Sequence, residues 1–196
     1  MSHRVALFFG SFNPIHVGHL MLAQYVLNFG NVDELWFVVS PQNPFKEQSG
    51  LAPADVRLAM AEVATGLDCR IKVSDVELSL PQPSYTINTI DSFEKDYPGW
   101  EFVIVMGGDN LAGLPRWREA KRLVKGREFL IYPRPGESTD TSAVKSLGGR
   151  VTVLDAPTIQ LSSTQIREWI AAGLDVRHFV PDEALAIAVE TYSRKK

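Results

Sequence analysis

The sequence predicts an α/β fold built as a doubly wound, mostly parallel sheet with helices on both faces, and three observations carry this. Arg4 to Phe9, Leu35 to Val39 and Phe102 to Met106 are continuous apolar runs, the pattern of strands buried on both faces of a parallel sheet. Segments with helical spacing separate them, and alternation of this kind implies right-handed crossovers. Each run also ends in small or polar residues, and in such sheets ligands bind outside the carboxyl ends of the strands, at the switch point. Gly10, Ser40, Gly107 and Leu154 stand at or near such ends.

Taken in order, the first strand closes at Gly10, and Leu20, Ala23, Val26 and Leu27 then recur at helical spacing. Leu35 to Val39 is the second strand, followed by a polar, Pro-containing loop from Pro41 to Gly50. Val56, Met60 and Val63 mark a helix, and Ile71 to Val76 a short strand. After a Pro-rich loop, a helix spans about Thr86 to Tyr97, with Ile87, Ile90 and Phe93 on one side. Phe102 to Met106 leads to Gly107 and Gly108. Arg116 to Lys125 reads as helix, Phe129 to Tyr132 and Val151 to Leu154 as strands, and Pro133 to Gly149 as a mobile loop. With 196 residues, a single domain over 1–196 is expected, its carboxyl-terminal helical segment beginning near residue 162.

Hydrophobic residues make up 45% and charged residues 22%, and no stretch approaches the roughly 20 apolar residues of a membrane helix. Val5 to Phe9 is too short for a signal-peptide core. The single cysteine, Cys69, has no partner for a disulfide or a Cys-based metal site, which fits a reducing cytoplasm, and it reads as a small apolar residue. A net charge of -3 argues against long nucleic acid as a partner, so any phosphate ligand should be small and locally bound. The sequence leaves the oligomeric state open, a homo-oligomer included.

Two motifs carry the chemistry. In GSFNPIHVGHL, Gly10 to Leu20, Gly10 leaves the strand without a Cβ, so the backbone of Gly10, Ser11 and Phe12 can approach a ligand closely. His16 and His19, three apart, fall on one face of the first turn of the following helix, where free N–H groups and the positive dipole end favour an anion. A zinc site is the weaker reading, since a third ligand is missing. In LSSTQIR, Leu161 to Arg167, Ser162 and Gln165 form a capping box, while Ser163, Thr164 and Arg167 add hydroxyls and a guanidinium suited to a second phosphate group.

GSFNPIHVGHL resembles the (T/H)xGH signature of the nucleotidyltransferase superfamily, and LSSTQIR its ISSTxIR signature, in the expected order. Within that superfamily, with its Rossmann-like fold, the chain most resembles bacterial nicotinate-mononucleotide adenylyltransferases over nearly its whole length. PQNPFK, RLAM, SYTINTI, GGDNL, PRW and PRPG support this. The resemblance departs at Asn13, where bacterial members usually carry Asp, and at Arg118, where some carry an aromatic.

The resemblance implies attack of a mononucleotide 5'-phosphate on the α-phosphorus of ATP, with Mg²⁺ held mainly through the ATP phosphates and not by protein ligands. His16 and His19 would be catalytic. Gly10, Ser11, Phe12, Lys46, Gly107, Asp109, Ser162, Ser163, Thr164 and Arg167 would surround ATP. Tyr85, Thr86, Trp117 and Arg134 would hold nicotinate mononucleotide. The rival acceptors are nicotinamide mononucleotide and phosphopantetheine, both adenylylated by proteins with these phosphate motifs. A non-catalytic nucleotide sensor is the alternative of a different class. A class I aminoacyl-tRNA synthetase is excluded, because the chain lacks room for an anticodon domain.

Overall fold

A computed structural model describes residues 2–41 and 50–193. Six strands, β1 (Arg4–Gly10), β2 (Glu34–Val39), β3 (Ile71–Ser74), β4 (Glu101–Gly107), β5 (Glu128–Tyr132) and β6 (Arg150–Val153), form one sheet in the order β3-β2-β1-β4-β5-β6. Every pairing is parallel. The chain leaves β1 for β2 on one side and later returns to place β4 on the other. The switch point therefore lies between the carboxyl ends of β1 and β4.

The apolar runs are continuous because both faces of the sheet are covered. Ala6 and Phe8 of β1, with Phe37 of β2 and Val105 of β4, pack on one side against α1 (Val17–Phe29), α2 (Ala54–Thr65), α7 (Ser163–Ala171) and α8 (Asp182–Tyr192). Val5 and Leu7, with Trp36 and Ile104, pack on the other against α4 (Thr86–Asp96), a 3-10 helix (Gly108–Arg116), α5 (Ala120–Val124) and α6 (Ser142–Ser146). The period of two in each strand assigns alternate residues to the two cores.

Four expectations need correction. The stretch Ile71 to Val76 is not all strand: β3 stops at Ser74 and Val76–Ser79 is a short helix, α3. The helix expected over Arg116 to Lys125 is split, with Pro115 inside the 3-10 helix and Glu119 at φ 51 before α5. Part of the loop expected from Pro133 to Gly149 folds as α6, because Val144 is buried in the second core. The helix marked by Val56, Met60 and Val63 forms as α2, with Arg57, Met60, Ala61 and Ala64 as its inward stripe and Val63 turned outward, 39% exposed. Cys69 is exposed, not part of a core. Among the described residues no helix is long and apolar enough to cross a membrane.

Candidate active site

The loop after β1 is shaped by two glycines. A Cβ on Gly10 would lie 2.7 Å from the Phe12 ring, which folds back over it and is buried, with Phe12 itself at φ 44. The Phe12 side chain therefore belongs to the core. His19 stands against Phe12 with ring centroids 5.1 Å apart and against Phe8 at 6.1 Å, so aromatic rings form its floor.

His16 is the N-cap of α1, and its ring stacks on that of His19 at 3.7 Å. The His16 backbone N–H donates to His19 Nδ1 at 3.2 Å, which leaves the proton of a neutral His19 ring on Nε2. A Cβ on Gly18 would come within 3.0 Å of His16 Nδ1, so glycine between the histidines makes the stack fit. Burial, and then the nearby positive charge of Arg134, lower the His16 pKa to about 4. Its buried Nδ1 has no hydrogen-bond partner among the described residues, so a second ring proton would lack an acceptor there. His16 is thus a neutral imidazole at neutral pH.

The second motif docks directly onto the first. Ser162 caps α7, accepting from Gln165 N at 3.2 Å, while Gln165 Oε1 accepts from Ser162 N at 3.0 Å, the expected capping box. Ser163 Oγ donates to the Pro14 carbonyl at 2.9 Å, and Arg167 Nη1 donates to the Asn13 carbonyl at 2.8 Å. Arg167 Nη2 reaches Thr164 Oγ1 at 3.3 Å. The amino end of α7 is thereby fixed beside the His16 loop, with Ser162 and Thr164 exposed.

Asn13 is the knot of this junction. Its Oδ1 accepts from Tyr192 Oη at 2.6 Å and Ala52 N at 3.0 Å, and its Nδ2 donates to the Gly50 carbonyl at 2.8 Å. The departure from Asp at this position thus serves packing between loop, α8 and the segment before α2. An Asp side chain would have no donor for Gly50.

At the carboxyl ends of β4 and β5, Asp109 pairs with Arg134 at 3.2 Å, and Arg134 Nη2 donates to Tyr132 Oη at 3.0 Å. A Cβ on Gly107 would lie 2.8 Å from Arg134 Nε, so this glycine opens room for the pair. Tyr132 packs edge-on to Phe8, the ring that also supports His19. Arg134 therefore faces the histidine site.

α4 ends just before β4 begins, so its amino end points to the carboxyl edge of the sheet. Tyr85 is its N-cap, and Thr86 opens it. The segment is clamped from behind by Glu77, which is buried and accepts from Ser84 Oγ at 3.0 Å and Thr89 Oγ1 at 2.8 Å. Trp117 closes the 3-10 helix and is half-buried against the second core. The next residue, Arg118, lies over the Tyr85 ring at 4.8 Å and brings the two segments together. Replacing Glu77 by Ala strands two buried hydroxyls. The expected cost is about 2 kcal/mol of unfolding free energy in urea titration.

Residues 7–169 match the cytidylyltransferase-like family. A Bacteroides fragilis protein named "Probable nicotinate-nucleotide adenylyltransferase" is 46% identical over 90% of this chain and 87% of its own length. A Flavobacterium johnsoniae protein of the same name is 39% identical over 91% and 92%. The chain belongs to the nicotinate-nucleotide adenylyltransferase family. Its fold is also that of the Plasmodium falciparum nicotinic acid mononucleotide adenylyltransferase complexed with NaAD, with a TM-score of 0.76 at 18% identity, covering 96% of this chain and 95% of that one.

In this adenylyltransferase, the geometry gathers His16, His19, Ser162 to Thr164, Arg167, Asp109 and Arg134 around the carboxyl ends of β1, β4 and β5, and sets Tyr85, Thr86 and Trp117 on the α4 side. Lys46 lies outside the described residues. Three residues with a part in the site were not singled out by sequence reasoning. Arg57, fully buried, donates to the carbonyls of Ala52, Ser11, Ser40 and Pro41 at 2.6–3.0 Å, holding the loops after β1 and β2. Its signal was weak, since 57, 60, 61 and 64 form one helical stripe but an arginine among alanines gives that stripe little apolar character. Glu77 and Tyr192 had no local signal, because their partners lie in other elements.

Proposed function

We propose that this adenylyltransferase joins the AMP part of ATP to nicotinate mononucleotide, forming nicotinate adenine dinucleotide and releasing pyrophosphate. The observation that carries the reading is the junction of the two motifs. Ser163 and Arg167 bond the loop that presents His16 and His19, so two helix amino ends and two imidazoles converge where the triphosphate would lie. The reading treats residues 1–196 as one nucleotidyltransferase domain, with the segment from about 162 completing the ATP site, working in the cytoplasm.

In the reaction, a 5'-phosphate oxygen of the mononucleotide forms a bond to the α-phosphorus. The bond from that phosphorus to the bridging oxygen breaks, and its electron pair leaves on pyrophosphate. No protein nucleophile is needed, so catalysis rests on positioning and on donors aimed at developing charge. His16, His19 and Arg134 lie where that charge develops, and the exposed Ser162 and Thr164 face the departing group. Among the described residues no three His, Cys, Asp or Glu side chains form a metal cage. Mg²⁺ in this reading enters with ATP, as part of the substrate.

On the acceptor side, the first N–H groups of α4 have no intrahelical partner, and a carboxylate needs donors only. Tyr85, Thr86 and Trp117 then hold the pyridine. The test is pyrophosphate release from Mg-ATP with nicotinate mononucleotide, nicotinamide mononucleotide or phosphopantetheine. Preference for the first is expected. Release with none of them, despite ATP binding, would make the chain a sensor.

A further inference from the structure

We propose that Arg118 determines the choice of acid over amide at the pyridine ring, by supplying positive charge that only nicotinate can use. The proposal rests on the reading of the reaction given above. Its guanidinium sits 4.8 Å over the Tyr85 ring, at the amino end of α4, and it directly follows Trp117. Both segments assigned to the pyridine therefore meet at this one cation. The dipole end of α4 adds positive potential at the same place.

Among the described residues no carboxylate takes up the charge of Arg118. Asp91 and Glu119, carried by the same two stretches of chain, are both taken by Arg122, at 2.7 and 2.8 Å. Glu77 faces the hydroxyls of Ser84 and Thr89. Nicotinate and nicotinamide differ by one negative charge, and shape alone discriminates poorly between such isosteres. An unpaired guanidinium held on an aromatic face beside the helix end separates them by charge.

The experiment measures kcat/KM for nicotinate and nicotinamide mononucleotides with Arg118→Met, Arg118→Lys and Arg118→Glu. Arg118 is exposed, so each variant should fold, and thermal melting checks this. The Met variant should lower the acid-to-amide ratio about three- to fivefold, the scale of one solvent-exposed charge contact. The loss should fall on KM for the acid. Lys should restore most of the ratio and Glu should lower it further. Raising salt should reduce the ratio in the unsubstituted protein and leave it flat in the Met variant. An unchanged ratio in the Met and Glu variants, with the parent still preferring the acid, overturns the role of Arg118 alone. A parent that turns over neither mononucleotide instead overturns the reading of the reaction.

Discussion

Replacing Arg57 by Met should destabilise the protein by about 4 kcal/mol, since four buried or part-buried backbone carbonyls would lose the guanidinium donor and each such loss costs roughly 1–3 kcal/mol. Arg57 is fully buried, and burial lowers its pKa, so the protein bears a desolvation cost to keep this charge inside. Removing the guanidinium returns part of that cost. It does not remove the acceptors, which are backbone groups of Ser11, Ser40, Pro41 and Ala52. These belong to the loop after β1, the end of β2 and the approach to α2, and one planar fork satisfies all three. Lysine keeps the charge but has no fork, so Arg57→Lys should recover only a minor share. Urea unfolding followed by tryptophan fluorescence reads both variants. A Met variant within about 1 kcal/mol of the parent would mean that water replaces the guanidinium, and the loops would not depend on it.

Sequence pattern reveals what local periodicity encodes, and here that covers most of the frame. β1, β2 and β4 are contiguous apolar runs because each is covered on both faces, so Val5 to Phe8 needs no polar interruption. The same logic finds the helix α2 but not its buried face. Val56, Met60 and Val63 have helical spacing, yet the core accepts Arg57, Met60, Ala61 and Ala64, and a buried arginine among alanines carries a weak apolar signal. α6 was hidden for a related reason, since a five-residue helix holding one buried valine has no period to detect.

The site shows a sharper division. The capping box of Ser162 and Gln165 is local, and it was legible. That Ser163 and Arg167 bond the carbonyls of Pro14 and Asn13 spans nearly the whole chain, and no spacing rule reports it. Residue type indicated phosphate chemistry; only the fold showed that these side chains also join the two motifs. Asn13 illustrates the same limit, for its side chain bonds Gly50, Ala52 and Tyr192, all distant in sequence.

His16→Asn should lower kcat by roughly 10² to 10³ while the protein remains folded, the loss typical of one preorganised donor at a reacting centre. The same variant should change how stability depends on pH. The His16 pKa is about 4 in the folded state, below its ordinary 6.5, owing first to burial and then to Arg134. A folded-state pKa that is depressed for a base means that the unfolded chain takes up the proton first. Above pH 6.5 both states are neutral at this ring and it has no effect. As pH falls from 6.5 towards 4 the unfolded state is favoured, and the loss is complete near pH 4. The gap corresponds to about 3 kcal/mol. Urea unfolding at pH 7.5 and at pH 4.5 should therefore show a smaller acid-induced loss in His16→Asn than in the parent, by about 2–3 kcal/mol. Carboxylates titrate alike in both proteins and cancel in the comparison. Equal losses would show that His16 already binds its proton in the folded state, and the neutral donor assigned to it at the triphosphate would have to be reassigned to an imidazolium.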